Sequence, residues 1–75
     1  MPLSGVGYTL DMDLRLVVEA YKHRYGYTPG WIAGPPDNCF AVSQHIRDWL
    51  ADHHVTLTAS AEAHGMWYAG TGKLP

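Results

Sequence analysis

The chain has 75 residues, a formal net charge of −2 at pH 7 and a single cysteine, with 47% hydrophobic, 16% charged and 12% aromatic residues. A chain of this length supports one small domain with one thin core, which excludes an enclosed cofactor cavity. The single cysteine excludes an internal disulfide framework and a cysteine-based zinc knuckle, and the slightly acidic balance disfavours non-specific binding to nucleic-acid phosphates.

Targeting and membrane signals are not evident in the sequence. No apolar run approaches the roughly 18 residues that a membrane-spanning helix needs. The opening segment MPLSGVGYTLDMD lacks the basic and apolar regions of a signal peptide. Because a lone cysteine also fits a reducing compartment, we expect a cytoplasmic protein without membrane contact.

A first amphipathic helix is predicted over residues 12–25. The lead before it, residues 1–10, has no helical period, and we expect it to be extended or loose. Asp11 suits the N-cap of the helix and Gly26 suits its C-terminal stop. Apolar side chains recur at helical spacing on one side of this segment, at Leu10, Leu14, Val17, Val18, Tyr21 and Tyr25.

A short strand over residues 30–33 and a second helix over residues 39–53 are predicted next. The prolines of YGYTPGWIAGPPD break helix on both sides of the strand, and Asp37 or Asn38 suits the N-cap of the second helix. Trp49 is predicted to anchor the core, so that replacing it with alanine costs about 3–5 kcal/mol. The apolar face of this helix comprises Cys39, Val42, Ser43, Ile46, Trp49, Leu50 and His53.

The last third of the chain predicts a β-hairpin. VTLTASA alternates with period two, Gly65 supplies a turn and MWYAG supplies the partner strand. Residues 71–75 are expected to fray. The element order α-β-α-β-β predicts an α+β fold, a single two-layer domain over residues 1–75 with two helices packed on a small three-stranded sheet.

Cys39 and the histidines are the candidate chemical groups. Cys39 has the helix N-terminal position of an activated thiol, but it shares the apolar face, which favours a small buried thiol. His45, His53 and His54 do not converge on the helical wheel and lack zinc-site spacing, so we expect no metal site. We expect His53 to be packed at the end of the helix.

A polar flank of the second helix and a glycine-rich tail add little chemistry. His45, Asp48 and Asp52 line the flank, and a solvated surface accounts for them because no pocket would tune their pKa values. Residues 70–73, GTGK, lack the earlier glycine and the following serine or threonine of a phosphate loop. We therefore predict a non-enzymatic protein with no catalytic residue and no cofactor.

The one basic cluster supports an alternative function, contact with nucleic acid. Lys22 and Arg24 lie near the predicted C-terminus of the first helix, where the helix dipole also favours cations. Bases would stack on the neighbouring aromatics Tyr25, Tyr27 and Trp31. The net charge makes this the second hypothesis.

The aromatic content favours an interface with another protein. Surfaces poor in charge and rich in Tyr and Trp are typical of protein interfaces. Met12 and Leu16 fall on the first helix away from its core face, and a symmetric homodimer would cover them together with a sheet edge. The predicted partner interface comprises Met12, Leu16, Glu19, His23, Tyr27, Trp31 and Phe40.

The segment from YGYTPGWIAGPPD to MWYAG resembles pieces of tailed-phage shell proteins. The shared features are a helix ending in a Gly-Tyr-Thr-Pro turn, a short strand, a proline-started helix, a strand and a Gly-Met strand. The resemblance implies a phage or mobile-element origin and a location in the host cytoplasm. It implies either an inhibitor of a host machine, such as an anti-CRISPR protein, or a phage structural or assembly protein.

Overall fold

The computed structural model describes residues 5–74, which form a small α+β domain and so confirm the predicted fold class. The predicted lead and tail extend beyond these limits, to residues 1–4 and 75, which lie outside the described residues. The elements in chain order are β1 (Val6–Thr9), α1 (Leu14–Tyr25), β2 (Trp31–Gly34), α2 (Pro36–Phe40), α3 (Gln44–Asp52), β3 (Thr56–Ala59) and β4 (Met66–Gly70).

The strands form one mixed sheet with the order β1-β4-β2-β3. Strand β4 runs antiparallel to both of its neighbours, whereas β3 runs parallel to β2. The connections β1-α1-β2 and β2-α2-α3-β3 step in the same direction across the sheet, so right-handed crossovers place the helices on one face. Contacts between α1 and α3 agree with this two-layer arrangement.

The predicted hairpin between the last two strands is wrong. Both strands form, but β3 pairs with β2 at one edge of the sheet, and β4 inserts between β1 and β2. Strand β4 buries Trp67 and Ala69, as a central strand does, while β3 leaves Thr56 and Ala59 exposed. Burial therefore favours a central place for β4 over the short hairpin connection.

The lead before the first helix contains a strand that the predicted three-stranded sheet omits. Strand β1 pairs with β4 from Val6, opposite Ala69, to Thr9, opposite Met66. The expected extended conformation is correct there, but the sheet has four strands, and the element order begins with β.

The first helix forms nearly as predicted, with a different N-cap. Helix α1 begins at Leu14 and is capped by Asp13, whose Oδ1 accepts a hydrogen bond from the backbone N–H of Arg15 at 2.8 Å. Asp11, the predicted cap, lies in the preceding turn. Gly26 ends the helix in the left-handed conformation with φ 80°, as predicted.

The predicted second helix over residues 39–53 is two helices. The hydroxyl of Ser43 accepts a hydrogen bond from a backbone N–H in the first turn of α3 and so begins a new helix. The guanidinium of Arg47 donates to the backbone carbonyls of Cys39 and Val42, which lie at the end of α2 and just beyond it. These side-chain hydrogen bonds stabilise a break that a helical wheel cannot show.

Helix α2 also begins earlier than predicted. Its first residue is Pro36, and Pro35 holds the N-cap position, so neither Asp37 nor Asn38 is the cap. Proline fits the first turn because the backbone N–H that it lacks would have no partner within the helix. The preceding strand β2 lies one residue later than the predicted range of 30–33.

The core fills the space between the helix layer and the sheet. Ile32 on β2, Leu50 on α3, and Val17 and Val18 on α1 are fully buried there. Trp31 lies on the other face of the sheet, where its ring covers Gly70 so closely that an added Cβ would come within 3.0 Å of it. That ring shields part of the face that the helices leave open.

Candidate functional site

An apolar cavity of about 320 Å³ opens where the start of α1 meets the junction of α2 and α3. The break between α2 and α3 contributes to its wall, so the cavity depends on the Ser43 cap and the Arg47 hydrogen bonds described above. Strand β4 adds one indole ring to the wall. The apolar lining comprises Leu10, Met12, Leu14, Ala41, Val42, Ile46 and Trp67.

Three polar residues, Asp13, Asn38 and Ser43, complete the lining. Asp13 and Ser43 are both helix caps, so their side-chain oxygens already accept backbone hydrogen bonds. The Arg15 guanidinium also donates to the Asp13 carboxylate at 2.9 Å, and these bonds lower the pKa of that carboxyl. An ionised, paired carboxylate is a poor proton acceptor, which leaves Asn38 as the one lining side chain without such a role.

Phe40 is the chain neighbour of this cavity's lining. It ends α2, directly precedes the lining residue Ala41, and is 79% exposed. Burying a phenylalanine side chain is worth about 1.5–3 kcal/mol, so the free chain forgoes this contribution. An exposed aromatic ring beside an apolar cavity is typical of a surface that a partner covers.

Cys39 lies below this surface as a buried thiol, in agreement with the apolar position predicted for it. Its Sγ contacts the backbone carbonyl oxygens of Gly34 at 3.5 Å and Thr58 at 3.4 Å. Burial raises the pKa of the Cys39 thiol, although the hydrogen bond to Gly34 and the nearby Arg47 oppose this. The thiol is therefore held in its unreactive protonated form.

We expect Cys39 to react with iodoacetamide about a hundredfold more slowly in the folded chain than in urea, because alkylation needs local opening. The raised pKa of the Cys39 thiol also makes the free energy of unfolding depend on pH. Above about pH 8.5 the unfolded thiol ionises and the folded one does not, so the free energy of unfolding falls as pH rises. Equal alkylation rates in buffer and in urea, followed by mass spectrometry, would contradict the buried thiol.

The described histidine side chains do not converge on a metal site. Within residues 5–74, no group of three or more His, Cys, Asp or Glu side chains is placed to hold a metal ion. His53 is exposed, yet its ring stacks on Trp49 with centroids 3.9 Å apart, and its Nδ1 lies 2.8 Å from the Trp49 carbonyl oxygen. On the flank that includes His45, Asp48 accepts a hydrogen bond from Gln44.

A second aromatic surface lies at the other end of α1. Tyr21, Tyr25 and Tyr27 form a cluster with ring centroids 4.6 to 6.2 Å apart, and we call it the tyrosine cluster. The Arg24 guanidinium lies 5.6 Å from the Tyr25 centroid. Burial raises the pKa of Tyr8 nearby, and Tyr25 adds to that increase while Arg24 opposes it. This surface carries the basic residues singled out from the sequence.

The predicted partner interface does not form one surface. Met12 lines the cavity and packs against the core, contrary to the expectation that it faces away from it. Leu16 is 57% exposed on α1, with Glu19 and His23 exposed on the same helix. Tyr27 belongs to the tyrosine cluster at the other end of that helix.

Trp31 must be removed from the predicted interface and from the predicted nucleic-acid platform. It is 2% exposed because its ring packs over Gly70 on the open face of the sheet. A central strand position accounts for this burial, and the local sequence between two turn signals did not indicate it. Phe40 is more exposed than Leu16 and Tyr27, two other large apolar members of the predicted set.

Sequence reasoning missed most of the cavity lining. The helical period of the sequence predicts Val42 and Ile46 on the core face of one long helix and Leu10 on the first helix. The helix break opens a gap between these residues and α1, and only the Ser43 cap signalled that break.

Comparison with known proteins finds no matching family, no matching curated protein and no matching solved structure. In the described part of the chain, no helix has the length and apolar character needed to cross a membrane.

Proposed function

We propose that this chain is a non-enzymatic module that binds another protein by accepting an apolar side chain of that partner in the cavity. The observation that carries this proposal is the apolar cavity of about 320 Å³, whose lining residue Ala41 directly follows the exposed Phe40 in the chain. Its volume suits one large aliphatic or aromatic side chain, the type of anchor that dominates protein interfaces.

The polar groups around the cavity favour binding over catalysis. Asp13 and Ser43 are engaged as helix caps, and the nearby Cys39 is buried with a raised pKa. A hydrolytic or transfer reaction would need a free nucleophile or base within reach of a substrate in the cavity. Among the described lining residues the remaining polar group is the Asn38 amide, which is neither.

The charges at the rim define the partner further. Asp11 and Asp37 are exposed and adjoin lining residues in the chain, whereas the nearby Arg15 and Arg47 are engaged with Asp13 and with backbone carbonyls. Asp13 balances the charge of Arg15. Backbone carbonyls are neutral and leave Arg47 with its positive charge, so Asp11, Asp37 and Arg47 together carry a formal charge of −1. We infer a partner segment with a large apolar side chain flanked by lysine or arginine.

Selection from a library of random peptides displayed on phage tests this proposal. The wild-type chain should enrich peptides with an aromatic or large aliphatic residue next to Lys or Arg. Ala41→Phe fills the cavity mouth from an exposed position and should abolish this enrichment. Ala51→Phe makes the same change on exposed α3 surface away from the lining and should keep it.

The proposal fails if Ala41→Phe enriches the same peptides as the wild-type chain while circular dichroism shows both to be folded. It also fails if the enriched peptides lack a large apolar residue. Loss of enrichment in both phenylalanine variants would point to a different surface.

The tyrosine cluster favours a second candidate function, contact with single-stranded nucleic acid. Tyr25 and Tyr27 are partly exposed rings on which bases could stack, and Arg24 beside Tyr25 could contact a phosphate. The net charge of −2 opposes this candidate, because phosphate binding depends on a positive surface. We rank it second for that reason.

A further inference from the structure

Strand β3 forms an edge of the sheet that carries no protective charge. Within the described residues its one neighbouring strand is β2, so the backbone groups on its other side have no strand partner there. Natural proteins protect such an edge with lysine, proline or a bulge, or by keeping the strand short. The stretch VTLTASA, residues 55–61, contains no lysine or proline, so the four-residue length of β3 is its remaining protection. This edge is therefore open to pairing with another strand.

The hydrogen bonds to β2 show which groups of β3 face outward. The backbone N–H groups of Thr56 and Ser60 donate to the carbonyls of Gly30 at 3.0 Å and Gly34 at 2.8 Å. Because backbone direction alternates along a strand, Thr58 also faces β2, and Leu57 and Ala59 face away from it. The outer edge thus offers four groups, the N–H and C=O of Leu57 and of Ala59.

We propose that a second copy of this chain pairs with β3 in antiparallel orientation, with the two-fold axis at Thr58. In this register Leu57 of each copy lies opposite Ala59 of the other, and the pair exchanges N–H···O=C hydrogen bonds in both directions. Thr58 lies opposite its own symmetry mate. The register uses all four outward backbone groups and joins two four-stranded sheets into one.

The side chains of this register are self-complementary. Large Leu57 faces small Ala59 on one side of the sheet, and a Thr–Thr pair, a favourable cross-strand combination, lies on the other. The paired stretch Thr56–Ala59 contains no charged side chain, so no like charges face each other across the axis.

The helix layer adds a reason for a second copy. Helix α2 packs against β3, and the Cys39 sulfur contacts the Thr58 carbonyl at the proposed axis. The next residue, Phe40, is the most exposed large apolar side chain among residues 5–74. Pairing at β3 brings the α2 helices of both copies to the same side of the joined sheet, where each supplies an apolar ring.

The size of this surface sets the expected strength of the dimer. A stable interface buries about 800 Å² per partner, and the folded chain exposes 4643 Å² in all. A four-residue strand and one ring from each copy supply less than 800 Å². We therefore expect a dimer that dissociates on dilution into the low micromolar range, so its test needs a covalent trap.

Disulfide trapping tests the register in the intact chain. Across the proposed axis the two Thr58 Cα atoms are about 4.5 Å apart, within the range of a disulfide, whereas the two Thr56 Cα atoms are about 13 Å apart. In oxidised glutathione, Thr58→Cys should form disulfide-linked dimers at least tenfold faster than Thr56→Cys. The wild-type chain, with buried Cys39, measures the background.

Sedimentation equilibrium provides a second measurement that does not depend on cysteine. Thr58→Lys places two like charges at the axis and should keep the chain monomeric at high micromolar concentration, where the wild type associates. Thr9→Lys makes the same change on the other edge strand, β1, and should associate like the wild type. The proposal is overturned if the wild type stays monomeric, or if Thr56→Cys is trapped as fast as Thr58→Cys. Thr58 and Thr9 do not line the cavity, so these variants test the dimer and not the partner site, although Phe40 adjoins both surfaces.

Discussion

Gly34→Ala should lower the free energy of unfolding by about 3 kcal/mol or more, a large part of the stability of a domain this small. A Cβ at this position would come within 3.0 Å of the six-membered ring of Trp67. That ring is buried in the core on the central strand β4 and also lines the cavity, so the collision is relieved only if the ring leaves its core contacts and moves into the cavity. Urea unfolding followed by circular dichroism measures the loss.

Gly30→Ala is the matched control for this prediction. Gly30 directly precedes β2 as Gly34 ends it, but the nearest atom to its added Cβ would be 3.8 Å away, an ordinary contact. We expect a change within about 0.5 kcal/mol there. Trp67→Leu in the Gly34→Ala background should recover part of the loss, since the smaller side chain relieves the collision. Equal stability of the two alanine variants would show that Trp67 does not lie against Gly34.

The bounds of α1 and β2 could be predicted from the sequence, because residues within or next to each element determine where it begins and ends. The apolar period of α1 and the left-handed stop at Gly26 placed this helix to within two residues. Trp31–Gly34 was placed to within one residue because turn signals flank it on both sides. In each case the physical cause lies within a few residues of the element that it determines.

The strand order could not be obtained in the same way, because it depends on which strands the core buries. The hairpin was the nearest solution along the chain, yet MWYAG is apolar throughout and TLTA is half polar. This difference suits a central strand and an edge strand respectively. The difference in polarity between the two segments therefore indicates the strand order, whereas the short connection between them favours a hairpin.

The candidate site was the least predictable part of the molecule. Residues at the break between α2 and α3 form part of the cavity wall, and the hydrogen bonds of Ser43 and Arg47 stabilise that break within a continuous apolar period. Phe40 was placed in the predicted interface and is exposed, whereas Trp31 was placed there and is buried. A large aromatic side chain is compatible with a core position and with an interface position, and its place on a strand or a helix determines which of the two it occupies.

Leu50→Ala should destabilise the fold more than Trp49→Ala, although the sequence favoured the tryptophan as the core anchor. Leu50 is 1% exposed and lies in the centre of the core, so its truncation should cost about 3 kcal/mol. Trp49 is only partly buried at the margin of the core, and one face of its ring stacks on the exposed His53. We expect Trp49→Ala to cost about 1–2 kcal/mol.

Removing the stack between Trp49 and His53 distinguishes the contribution of the indole's core contacts to stability from that of its surface contact. His53→Ala removes the stacked imidazole and leaves the core side of the indole in place, so it should cost less than about 1 kcal/mol. Urea midpoints of the three alanine variants, measured under the same conditions, should therefore fall in the order Leu50→Ala, Trp49→Ala, His53→Ala, with the lowest midpoint first. If Trp49→Ala proved as destabilising as Leu50→Ala while His53→Ala had no effect, the indole would be a core anchor. The face of α3 towards the sheet would then be rotated from the one described.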